Sequence, residues 1–148
     1  PRARLRTLGG LVLDAVPGEV GAAGDGERQA AELTALARRR RKLALLTLLA
    51  LSPRPVSRDL LVDAFWADAP PEGARHSLAE ALSHVRRVLG RDALAVRAAD
   101  VALAPDAPLV VDAREFDRAC AAGDAEAAVA LYGGPLLDGV FVERAHRF

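Results

Sequence analysis

The sequence predicts an α+β chain, and three observations carry that expectation. Apolar and polar residues alternate near the start and again over residues 94–103, the two-residue period of a half-buried strand. Between these segments lie three stretches with helical character, of which residues 72–89 are the most regular. After Pro105 and Pro108 come two short helical stretches separated by Gly123 and Asp124.

Taken in order, residues 3–13 set Leu5, Leu11 and Leu13 among Arg4, Arg6 and Thr7, a strand with Gly9-Gly10 as a bend or bulge. Pro17-Gly18 turns the chain, and a short strand over Glu19–Ala22 could pair back onto the first. Gly24-Asp25-Gly26 is a loop, and residues 28–37 show no clear face, so their state stays open. Residues 35–51 are rich in strong helix formers and apolar nearly all round after position 43, which predicts a central core helix. Ser52-Pro53-Arg54-Pro55 ends it. Ser57 is a good N-cap for a second helix with Leu60, Leu61, Ala64 and Phe65 on its apolar side, closed by Trp66. Phe65 and Trp66 read as core.

Asp68-Ala69-Pro70-Pro71 is a loop before the third helix. At 100° per residue, Ala74, Leu78, Ala81, Leu82, Val85, Val88 and Leu89 fall on one side. His76, Ala79, Glu80, Ser83 and Arg87 fall opposite, flanked by Arg75 and Arg86 on one side and His84 on the other. Gly90 caps the helix. Leu94–Arg97 and Val101–Leu103 then form a plausible hairpin turned at Ala98-Ala99-Asp100. Phe116–Ala121 and Ala125–Tyr132, the latter capped by Asp124, make a helix pair that would lean on its neighbour or await further repeats.

With 148 residues, 51% of them hydrophobic, the chain can form one good core, or a compact domain and part of a second. No apolar run of about 18 residues is present, so no membrane helix is expected. Gly9-Gly10 and Asp14 interrupt any signal-peptide core. The single cysteine, Cys120, excludes a disulfide framework, fits a reducing cytoplasmic setting and reads as a small buried apolar residue. No nucleophile–base set, phosphate loop or acidic metal cluster is visible, which argues against an enzyme and against any cofactor. His76 and His84 lack the partners a metal would need. The net charge is zero, but residues 1–111 hold 16 Lys and Arg against 13 Asp and Glu, and residues 112–148 hold 4 against 7. A missing initiator Met and an open pattern at Phe148 suggest a fragment.

Strand pair, core helix, short helix, loop, long amphipathic helix, hairpin: this is the order of a winged helix, a helix-turn-helix domain with a hairpin wing, preceded by an N-terminal β-sheet. In such a domain the third helix enters the major groove and the wing reaches the backbone or minor groove. The segments Arg40–Leu51, Val56–Trp66, Pro70-Pro71, Ala74–Leu78, Val85–Gly90, Asp112–Phe116 and Ala127–Leu137, in this order, resemble the SARP-like antibiotic-regulatory activators.

That resemblance implies an OmpR-type winged-helix DNA-binding domain over residues 1–106. Over residues 107–148 it implies the truncated N-terminal part of a TPR-like α-helical bacterial transcriptional activation domain. It further implies binding to double-stranded promoter DNA, contact with RNA polymerase and a homodimer on repeated sites, with no membrane partner. His76, Ser83, His84 and Arg86 match the family's DNA-facing positions, with Arg87 beside them and Arg97 where the wing begins.

On charge alone, Arg75, Arg86 and Arg87 suit phosphate or base contact, or simply form a solvated face. Residues Arg38 to Lys42, including Arg40 and Arg41, could hold phosphates at the start of the core helix, or form an exposed basic turn. Glu80 projects from the middle of the face that should meet DNA, where a carboxylate is repelled unless it accepts from a cytosine amino group. Ser83 and His84 stand where arginines are common in OmpR-type domains, and the wing tip Arg97-Ala98-Ala99-Asp100 offers no aromatic residue and one acid. The rival expectation is therefore a winged-helix-derived protein-interaction module with weak or lost DNA binding.

Overall fold

A computed structural model describes residues 3–16 and 25–139. The short strand expected over Glu19–Ala22 lies outside the described residues. In chain order the elements are β1 (Ala3–Arg6), β2 (Val12–Ala15), α1 (Asp25–Arg38), α2 (Arg40–Leu51), β3 (Val56–Ser57), α3 (Arg58–Phe65) and α4 (Pro71–Leu89). A single 3-10 turn (Arg91–Ala93), β4 (Leu94–Val96), β5 (Asp100–Leu103), β6 (Leu109–Val111), α5 (Asp112–Ala121) and α6 (Ala125–Leu131) follow. The described residues form two compact units: those up to Thr34 together with those from Leu109 on, and Ala35–Pro108.

In the unit spanning Ala35–Pro108, α2 is the core helix. Leu43, Leu45, Leu46 and Leu49 are all buried, and the Thr47 hydroxyl donates to the Leu43 carbonyl at 2.7 Å, so that the one polar group among them is satisfied. The uninterrupted helix expected over residues 35–51 is corrected: the chain breaks at Arg39 (φ −86°, ψ 86°), and residues 25–38 form a helix of their own. The break falls inside the Arg38–Lys42 run, where a continuous helix would stack like charges three and four residues apart.

Ser57 caps α3 as expected, its hydroxyl accepting from the Leu60 N–H at 3.4 Å. Leu61, Ala64 and Phe65 are buried, but Leu60 is 50% exposed, which corrects its assignment to the apolar side. Positions i, i+3 and i+4 from Leu61 set the buried stripe, and Leu60 stands 100° away from it. Trp66 ends the helix at 8% exposure, its ring edge-on to Phe65 at 6.1 Å.

α4 matches its expected periodicity residue for residue. All of Ala74, Leu78, Ala81, Leu82, Val85, Val88 and Leu89 are buried. Gly90, at φ +110°, ends the helix with its N–H on the Arg86 carbonyl. The expected hairpin is present as β4 and β5, in register Leu94↔Leu103 and Val96↔Val101, closed by the Arg97 N–H on the Asp100 carbonyl at 2.9 Å. The two-residue β3 adds to it through Val56↔Val101, giving the sheet order β3-β5-β4 with Val101 fully buried at its centre.

In the other unit, the single strand expected over residues 3–13 is a hairpin. β1 and β2 pair antiparallel, Leu5↔Leu13, because Gly9 at φ +88° reverses the chain. A Cβ on Gly9 would lie 2.4 Å from the Gly133 carbonyl oxygen, so only glycine fits there. β6 lies parallel on the other edge of β1, Leu5↔Val111. The first residue of α5, Asp112, is buried. One oxygen accepts from the Thr7 N–H (2.8 Å), the Thr7 hydroxyl (2.7 Å) and the Ala113 N–H (2.7 Å), and the other from the Leu8 N–H (2.9 Å). This carboxylate fixes the helix pair to the strand pair.

α5 and α6 meet at Gly123, and Asp124 caps α6 by accepting from the Ala127 N–H at 3.0 Å. Cys120, expected to be buried, is exposed: it lines the apolar cleft between α5 and α6 with Phe116, Val129 and Tyr132.

Asp112→Ala leaves three donors of Thr7 and Leu8 unpaired. Their loss is expected to destabilise this unit by about 2–4 kcal/mol in urea unfolding, and Asp112→Asn by roughly half that.

Candidate nucleic-acid interface

Burial of one face of α4 sets the opposite face in solvent. Arg75, His76, Ala79, Glu80, Ser83 and Arg87 are exposed along it. Arg86 is half-buried and its Nε–H donates to the Arg91 carbonyl at 3.2 Å, so that its guanidinium closes over the helix end. Ser83, Arg86, Arg87 and Arg91 line one shallow depression. Arg91 was not among the expected site residues. Its signal was its place directly after the capping glycine, which returns the chain beside the last turn of α4.

The basic run lies next to the same helix. Arg38 to Lys42 line a second depression with Trp66, Ser77 and Glu80. Arg40 is exposed, and the Arg41 guanidinium lies 5.7 Å from the Trp66 ring centre, a cation–π contact. Lys42 points the other way. Its ammonium donates to Glu80 Oε1 at 3.2 Å and to His84 Nδ1 at 3.1 Å, its side chain only 19% exposed. Lys42 and His84, both expected to meet DNA, therefore hold each other, and Glu80 is not an unbalanced charge.

The electrostatics follow from this cluster. Hydrogen bonding and attraction from Lys42 hold the Glu80 carboxyl below its ordinary 4.5. Burial, then repulsion from Lys42, Arg87 and Arg39, pushes His84 below 6.5. A neutral His84 that accepts at Nδ1 carries its proton on Nε2, an assignment made from its partner.

On the β4–β5 hairpin Arg97 is exposed, whereas Asp100 does not present its carboxylate to solvent in full. Its Oδ1 is buried without a hydrogen-bond partner, as is Nε of Arg58. The acid expected to face a duplex is thus partly turned in. Among the described residues no three His, Cys, Asp or Glu side chains group as metal ligands, and no helix is long and apolar enough to cross a membrane.

Among solved structures the chain is similar to Mycobacterium tuberculosis EmbR in complex with a low affinity phosphopeptide. The two are 28% identical over 93% of this chain, with a TM-score of 0.55. The chain shares its fold with the matched part of EmbR. The match spans 38% of the EmbR chain. The mixed α+β character, small sheets and helices, is common to both. No family model and no curated protein matches the chain.

Both titrations of the Lys42 cluster carry the same sign. A lowered His84 means that the unfolded chain takes up a proton first, so stability falls as pH drops through 6.5 towards the folded value. The Glu80 contribution is complete above 4.5 and is lost as pH falls through its lower folded value. NMR titration is expected to place the His84 midpoint below 6.5, and Lys42→Met to raise it; a midpoint indifferent to Lys42 would contradict the cluster.

Proposed function

We propose that the chain is a DNA-binding part of a transcriptional regulator of SARP type, acting by binding rather than by catalysis. In this reading α2, α3 and α4 with the β4–β5 hairpin form a winged helix of the OmpR type. α4 lies in the major groove of double-stranded DNA and the hairpin, with Arg97, lies at the backbone. The observation that carries it is the solvent face of α4. Its apolar stripe is consumed in the core, and its exposed Arg75, His76, Ser83 and Arg87 are flanked by the Arg38–Arg41 run at one depression and by Arg91 at the other. The likeness to EmbR supports the regulator class. Residues 107–148 as the start of a TPR-like activation domain, contact with RNA polymerase, and a homodimer on repeated sites belong to the same proposal and rest on the family resemblance.

In this reading the roles within the expected site differ from residue to residue. Arg75, Arg87, Arg91, Arg40 and Arg97 are free to meet phosphates, whereas Arg86 first supports the helix end and Lys42 serves Glu80 and His84. The zero net charge is no obstacle, because phosphate contact depends on charge placed locally.

Binding of the chain to randomised duplex is expected to weaken steeply between low and moderate salt. Arg87→Ala is expected to weaken it on all sequences and to reduce the log–log salt slope by about one. Salt-independent or absent binding would favour the protein-interaction module instead.

A further inference from the structure

Glu80 is the residue on the solvent face of α4 that a DNA-binding reading accommodates least readily, and its surroundings give it a role. Its side chain is 64% exposed, and only Oε1 is engaged, by the Lys42 ammonium at 3.2 Å. Among the described residues Oε2 has no protein hydrogen-bond partner. Lys42 is itself fixed from a second side, because its ammonium also donates to His84 Nδ1 at 3.1 Å, one helical turn along from Glu80. The carboxylate is therefore oriented by a half-buried cation on α2, with one oxygen left to accept a hydrogen bond from outside. A freely moving glutamate would swing away from phosphates; this one is restrained.

We infer that Glu80, positioned by Lys42, reads the exocyclic amino group of a cytosine in the major groove and is the specificity-determining residue of this face. The inference rests on the DNA-binding reading above. A group that can only accept selects a base edge that donates, which leaves cytosine N4 and adenine N6. The adenine amino group lies between two acceptors, its own N7 and O4 of the paired thymine, and both repel a carboxylate. The cytosine amino group has an acceptor, the guanine O6, on one side and a carbon-bound hydrogen on the other. Cytosine is thus the favoured partner, and guanine and thymine, which offer only acceptors at that edge, are excluded. The Lys42 charge offsets the repulsion that a carboxylate meets between phosphate chains, and the lowered Glu80 pKa keeps it an acceptor throughout the neutral range. Neither Lys42 nor His84 is then spent on base contact.

The test is selection of sites from randomised duplex with the whole chain. Binding of wild type and variants is then measured by fluorescence anisotropy to the winning site and to its single-base alternatives. One position is expected to prefer cytosine by about tenfold. Glu80→Ala should flatten that position alone while other selected positions keep their preference. Lys42→Met, with Glu80 intact, should reduce the preference to below about threefold by releasing the carboxylate. A selected site with no fixed cytosine, or a cytosine preference that survives Glu80→Ala, overturns the inference and leaves DNA binding standing. Absence of salt-dependent binding to any duplex overturns both.

Discussion

The buried stripe of α4 is the constraint from which the rest of the Ala35–Pro108 unit follows. Five of its seven side chains are Leu or Val, each worth about 1.5–3 kcal/mol when taken from water into the core. Turning the helix by one residue would bring Leu78 and Val85 out and carry Ala79 and Arg86 in, a loss no surface contact could offset. The rotational setting of α4 is therefore decided by packing against α2 and α3, before any functional demand. The solvent-facing set, Arg75, His76, Ala79, Glu80, Ser83 and Arg87, is what this setting leaves over.

That same geometry explains how a carboxylate can stand in the middle of the exposed face. α2 is apolar almost throughout, but it begins in a run of cations, and its packing against α4 carries Lys42 beside Glu80 and His84. The break at Arg39 separates α1 from α2 within this run, leaving Arg40 in solvent and Arg41 against Trp66. The run therefore divides its labour. Some of its charge stays available at the surface, and one member is consumed in orienting α4. A half-exposed ion pair of this kind adds little to stability, so its consequence lies in side-chain order and local charge.

Much of this was legible in the sequence, and what was not has identifiable causes. Residues 72–89 gave every buried position of α4, because a long amphipathic helix repeats its signal over five turns. The hairpin over residues 94–103 and the Ser57 and Asp124 caps were equally readable, since each rests on chemistry within a few residues. Local patterns failed where the decisive partner lay far off in sequence. β6 pairs with β1, which lies about a hundred residues earlier, and Asp112 reaches back to Thr7 and Leu8 across a similar separation. Neither partner advertises the other. The Gly9-Gly10 pair reads from sequence as a bend or bulge within one strand, because the turn of a hairpin calls for the same residue type. Leu60 was misplaced because α3, eight residues long, offers too few turns to fix its face from spacing alone. At the candidate site, individual residues were visible, but the Lys42–Glu80–His84 cluster was not. It joins positions 38 and 42 residues apart through the packing of two helices.

The separation of roles on α4 has a consequence for how such a surface changes. Residues that meet phosphates contribute affinity without regard to sequence, and each acts almost independently because it is exposed and flexible. A restrained acceptor such as Glu80 contributes little affinity and depends on two partners, one of them on another helix. On the proposed reading, substitution at Arg75, Arg87 or Arg91 alters the strength of a contact, whereas substitution at Lys42 alters what Glu80 is able to recognise without touching the ligand. The core-facing stripe sets which residues are presented, and α2 sets the state in which the central one is presented. On the proposed reading, affinity and selectivity are thereby carried by different elements of the same small unit, and a change in α2 can retune the second while leaving the first in place.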